Sequence, residues 1–89
     1  MIIDAISIKD PIKEKIAIKH RVYKNEIKDI IFNDKPIFKK SSGRHLCIGF
    51  KRRYITIIFD YMGINKQANI VTAYPSSKWQ INLYKRMKK

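Results

Sequence analysis

Residues 44–60 read "RHLCIGFKRRYITIIFD". Two runs rich in Ile, Phe, Tyr, Thr and other apolar residues are separated by little more than Lys51-Arg52, which predicts two strands joined by a tight turn. In the second run Ile55, Ile57 and Phe59 face one way, and Tyr54, Thr56, Ile58 and Asp60 face the other. The first of these faces must pack on helices; the second is more polar and is expected to be open. Working outward, "PIFKK" (residues 36–40) precedes the pair across Ser-Ser-Gly, and "QANIVTAY" (residues 67–74) follows it across "YMGINK". Four strands with hairpin-length loops are most simply an antiparallel meander. "MIIDAISI" at the start of the chain can add a short first strand.

Helical spacing flanks the sheet on both sides. In "DPIKEKIAIKH" Asp10 is placed as N-cap with Pro11 at the first helical position, and Ile12, Ile16 and His20 share a face. "YKNEIKDIIFND" offers Ile27, Ile30 and Ile31 for a second helix that stops near Asn33, before Lys35-Pro36. After Tyr74, Pro75 blocks continuation of the strand. Ser77 and Gln80 then form a capping-box pattern at the start of a last helix. Trp79, Leu83, Tyr84 and Met87 span one arc of that helix, expected to dock. Lys78, Lys85 and Lys89 form a stripe on the opposite side, either a solvated face or a phosphate-binding one. The expected architecture is one α+β domain over residues 1–89. Two N-terminal helices and a C-terminal helix pack on one side of a four-stranded antiparallel sheet.

The charge is distributed unevenly. The chain of 89 residues has a formal net charge of +13. Residues 1–34 hold seven basic and six acidic side chains, whereas residues 35–89 hold thirteen and one, Asp60. Isoleucine- and lysine-rich coding would make the whole chain basic, but would not empty its later part of acids. A concentrated basic excess is the footprint of a phosphate-backbone binder. Cys47 is the only cysteine. It lies in an apolar run, so it is expected to be a small buried hydrophobe in a reducing compartment. The first residues carry Asp4 and lack a basic stretch and a cleavage site, and no apolar run approaches the length of a membrane helix. The expectation is a cytoplasmic protein with no membrane contact.

Several segments, in order, resemble BrnT-type toxins. "KHRVYKNEI" is similar to the family's Lys-His-Gly-Val-x-x-x-Glu segment. "VTAYPSSKWQINLYKR" is similar to its closing Ile-Ser-Ala-Arg strand and Ser/Thr-capped basic helix containing a tyrosine. The likeness runs over about residues 15–88. It implies a RelE-like fold, an mRNA endoribonuclease of a type II toxin–antitoxin pair, and a cognate antitoxin as partner. His20 takes the place of the family's histidine and Tyr84 that of the tyrosine in the last helix, with Arg44 near a basic position before the second strand of the meander. Two positions depart from the pattern: Tyr74 stands where the strand usually ends in arginine, and Arg21 follows the histidine in place of glycine.

Cleavage of RNA without a metal needs a base for the 2′-hydroxyl, an acid for the leaving 5′-oxygen, and cations for the charge on phosphorus. His20 and His45 are the side chains whose ordinary pKa suits the first two tasks. Tyr54, Tyr74 and Tyr84 can position or donate, and Arg44, Arg52 and Arg53 can clamp a phosphate in bidentate fashion. Lys51, Arg52, Arg53, Tyr54, Lys78, Lys85 and Arg86 combine rings with cations, as stacking on single-stranded RNA requires. Structural readings stay open beside these. His20 can complement a helix dipole, Arg52 and Arg53 can be a solvated turn, and Tyr74 can be lodged between sheet and helix. With one cysteine, two distant histidines, scattered acids and three glycines, no zinc site, magnesium site or phosphate loop is expected, and no cofactor. Besides the toxin, the sequence leaves two other readings: a non-catalytic nucleic-acid binder of similar fold, viral or plasmid-borne, and a subunit whose basic face meets an acidic protein.

Overall fold

A computed structural model describes residues 1–33 and 35–88. In chain order its elements are β1 (Ala5–Ser7), α1 (Asp10–His20), α2 (Lys24–Asn33), β2 (Ile37–Ser41), β3 (Arg44–Lys51), β4 (Arg53–Met62), β5 (Gln67–Pro75) and α3 (Lys78–Met87). The expected meander forms: β2, β3, β4 and β5 pair antiparallel in sequence order. The sheet is nevertheless five-stranded and mixed, with order β1-β5-β4-β3-β2. β1 lies parallel to β5, with Ala5 opposite Gln67 and Ser7 opposite Asn69. Three residues were too short a run to be read as a full member of the sheet; their pairing is set by β5, not by their own pattern.

The two faces of the sheet carry different helices, which corrects the one-sided packing expected above. Ile55, Ile57 and Phe59 do share a face, and they are fully buried with Cys47, Ala68 and Ala73 against Ile16, Val22, Ile27, Ile30 and Ile31 of the α1–α2 layer. The alternate residues Leu46 and Ile48 point the other way, as strand geometry demands. They pack with Ile37 on Leu83 of α3, with Ile58 and Tyr84 beside them. Burying a leucine such as Leu83 stabilises by about 1.5–3 kcal/mol, enough to seat a ten-residue helix that would be marginal alone. Gln80, Leu83 and Tyr84 form the docked stripe. Trp79 and Met87, placed in that arc by their spacing, are 58% and 51% exposed. The helix is rotated toward Gln80 because that side chain has a buried polar partner in β4. The Trp79 ring consequently faces solvent.

Tight turns set the register. β2 and β3 join through Ser42 and Gly43, both at positive φ (50° and 80°), the left-handed pair that two-residue hairpins favour. β3 turns into β4 through Arg52, with Lys51 opposite Arg53 and Arg52 at φ 70°. α1 ends on Arg21, also left-handed at φ 54°, whose N–H reaches the carbonyl of Ala17. A left-handed non-glycine residue costs about 1–2 kcal/mol. The α1 N-cap is Lys9, not Asp10, which is already the first helical residue. No helix among the described residues is long and apolar enough to cross a membrane.

Candidate functional site

The end of β5, the start of α3 and the last residue of α1 converge on one polar network. Thr56, in the middle of β4, is fully buried, and Gln80 is 2% exposed. Thr56 Oγ1 donates to Gln80 Oε1 at 2.9 Å. The same Oε1 accepts the backbone N–H of Ser77 at 2.8 Å. An N–H can only donate, so the orientation of the amide is fixed: oxygen toward Ser77, nitrogen toward Tyr74. Gln80 Nε2 accordingly donates to the Tyr74 hydroxyl at 2.9 Å. The one proton of Thr56 is committed to Gln80, so Ser76 Oγ, 2.7 Å from Thr56 Oγ1, is the donor in that contact. Tyr74 is half-buried. Its oxygen accepts a hydrogen bond from Gln80 and keeps its own proton to donate elsewhere. His20 lies beside its ring, centroid to centroid 5.9 Å at a tilt of 53°.

A ring cluster continues from this edge. Tyr54 packs on Phe50 at 4.7 Å and edge-on to Tyr84 at 5.5 Å. Lys85 Nζ lies 5.9 Å from the Tyr54 centroid and Lys88 Nζ 5.6 Å from that of Tyr84. These are cation–π distances that also keep both ammonium groups beside exposed aromatic surface. Ser76 N–H bonds the Tyr54 carbonyl at 2.9 Å, tying the ring cluster to the Tyr74 turn. His20, Tyr54, Tyr74, Tyr84 and Lys85 are therefore gathered at one end of the sheet. Lys78 and Arg86 are exposed on the same helix as Lys85; Lys89, the third lysine of the expected stripe, lies outside the described residues.

Other sequence candidates lie elsewhere. Arg44 pairs with Asp60 at 3.3 Å. Asp60 is four residues along β4 from Thr56, about 13 Å at strand rise, so Arg44 belongs to the opposite end of the sheet. His45 is on the α1–α2 face, stacked on Phe59 at 5.5 Å and edge-on to Tyr61 at 6.0 Å. Its Nδ1 is buried with no hydrogen-bond partner among the described residues. Arg53, expected at a phosphate, is held by the protein itself. Its Nε and Nη2 grip Glu26 at 3.0 and 2.8 Å, and Nη2 also bonds the Arg21 carbonyl at 2.7 Å. The Glu26 carboxylate raises its pKa above the ordinary guanidinium value. Lys51 approaches Asp29 at 4.0 Å. Arg52 remains exposed at the turn.

Gln80 and Thr56 were missed as site residues. The Ser77–Gln80 spacing signalled a helix cap, but nothing in it said that the same amide would reach Thr56 and Tyr74. Among the described residues no three His, Cys, Asp or Glu side chains come together as metal ligands would.

Neither a protein-family profile nor a curated protein sequence matches this chain. The solved structures do contain a likeness. The crystal structure of the Brucella abortus ribonuclease toxin BrnT superimposes with a TM-score of 0.64 at 17% identity, over 83% of this chain and 97% of that one. At that identity the match speaks for architecture, and it runs in the direction of the sequence resemblance: three helices on a five-stranded sheet, in the fold of BrnT.

Proposed function

We propose that this protein is a BrnT-like RNA endonuclease that works without a metal, with the end of β5 as its reactive edge. The observation that carries the proposal is the His20–Tyr74–Gln80 arrangement. A phenol whose oxygen is already an acceptor from a buried amide sits ring to ring with an imidazole, and the phenol and amide belong to the basic part of the chain. His20 takes the proton of a ribose 2′-hydroxyl. The 2′-oxygen attacks phosphorus and the bond to the 5′-oxygen breaks, leaving a 2′,3′-cyclic phosphate. Tyr74 gives its free proton to the departing 5′-oxygen and regains one from the protonated His20 through solvent. Lys85 supplies positive charge toward the phosphorane, and Tyr54 and Tyr84 offer ring faces to unstacked bases. Tyr84, half-buried on the docked side of α3, acts as platform more than as proton donor. A matching antitoxin is the partner this reading calls for.

Labelled single-stranded RNA is incubated with the wild type, His20→Ala and Tyr74→Phe in EDTA, with and without ribosomes. Products ending in cyclic phosphate from the wild type alone support the proposal. Intact RNA under both conditions overturns it. RNA that is shifted on a native gel but never cut favours the binding protein of the same fold.

A further inference from the structure

A second feature lies past the end of α1, on the α2 side of the β3–β4 turn. A cleft of about 670 Å³ opens there, a volume within the range of small-ligand sites. Its acids are answered from inside: Glu26 is gripped by Arg53, and Asp29 faces Lys51. That leaves Arg21 and Arg52 on its walls, whose side chains make no hydrogen bond or ion pair among the described residues. Both hold left-handed backbone, φ 54° and 70°, where glycine fits without strain. At each position the chain carries a guanidinium at a conformational cost. Tyr23 lines the same cleft and is 58% exposed. Free guanidinium groups beside an exposed ring match a phosphodiester with an unstacked base.

We propose that this cleft binds a nucleotide of single-stranded RNA flanking the one at the Tyr74 edge, with Arg21 and Arg52 on its phosphate and Tyr23 against its base. Arg21 follows His20 directly in the chain, so a strand leaving the His20–Tyr74 pair reaches Arg21 first. The proposal rests on RNA being the ligand, but not on its being cut.

The test is binding of a fully 2′-O-methylated hexanucleotide, which cannot be cleaved, read by fluorescence anisotropy across a salt series. The variants are Arg21→Gly, Arg52→Gly, the two combined, and Tyr23→Ala. Glycine suits both left-handed positions, so the two arginine variants should melt at or above the wild-type temperature. Each should bind about tenfold more weakly, with a salt slope shallower by about 0.7. Tyr23→Ala should also lose about tenfold. Shortening the RNA to a dinucleotide should weaken the wild type and leave the double arginine variant nearly unchanged. Variant affinities within twofold of wild type, with equal slopes, overturn the cleft while leaving the Tyr74 edge intact if RNA is still cut. Cleft-dependent binding without cleavage overturns the edge instead, and a wild type that binds no RNA overturns both.

Discussion

Gln80 Nε2 donates to the Tyr74 hydroxyl at 2.9 Å, and this contact decides what the tyrosine can do. A phenol that has accepted a fixed amide hydrogen is oriented, and its own proton is directed away from Gln80. Tyr74→Phe removes the donor and keeps the ring against His20. RNA cleavage should fall by about 10²-fold or more, while stability falls by about 1 kcal/mol, the low end of the cost of an unpaired buried group, because Gln80 Nε2 loses its acceptor at a half-buried hydroxyl. Cleavage rates set beside a urea titration separate the two effects; equal activity would remove Tyr74 from the chemistry.

Gln80→Leu acts on stability more strongly. It strands the Thr56 hydroxyl and the Ser77 N–H, both served by Oε1. A buried group left unpaired costs about 1–3 kcal/mol, and in a domain of this size each kcal/mol lowers Tm by about 4–8 °C. The melting temperature should drop by about 10 °C. A variant that melts with the wild type would mean that the network contributes no net stability.

Arg53 and Glu26 should behave as a structural clamp between β4 and α2. Glu26→Ala is expected to cost about 1 kcal/mol, less than for a buried pair because the Arg53 side chain is 40% exposed and solvent screens it. The pKa of Arg53 is raised in the folded state by Glu26. Its contribution is therefore complete at every pH below the unfolded guanidinium value, and disappears only as pH climbs through the folded one. Denaturation of wild type and Glu26→Ala through the neutral and mildly alkaline range should give curves that do not diverge on account of Arg53.

Arg44→Ala is expected to leave cleavage within a few-fold of wild type. Its guanidinium is engaged by Asp60, at the end of the sheet away from Tyr74. A loss of 10²-fold on this substitution would mean that the reacting phosphate lies on a different part of the face.

Much of the frame could be read from alternation and caps. Ile55, Ile57 and Phe59 on one face, Pro75 as the strand stop, and Ile27, Ile30 and Ile31 on α2 all stand as their spacing indicates. Two features escaped. The start of the chain reads as a short strand, but its three residues hold no pattern that assigns them parallel to β5 as a fifth member of the sheet. The side on which α3 lands depends on Thr56, one polar residue in the alternating run of β4, and on Gln80 satisfying it; helical spacing alone favoured Trp79. The candidate site was legible in its residue types but not in its grouping. His20 and His45 look equivalent in sequence, yet the fold sets one beside Tyr74 and the other on Phe59, and Arg53 gives no sign in sequence that Glu26, 27 positions earlier, has already claimed it.

The parallel pairing of β1 with β5 has a consequence for how the chain is made. Ala5 finds Gln67 as its neighbour, so β1 must wait unpaired until β5 has been made. The fold that brings His20 to Tyr74 also needs β5 and α3. Pairing across so long a separation makes closure slow. A nascent chain carries His20 and the basic β3–β4 hairpin before β5 and α3 exist, so translation itself delays the moment at which His20 meets Tyr74.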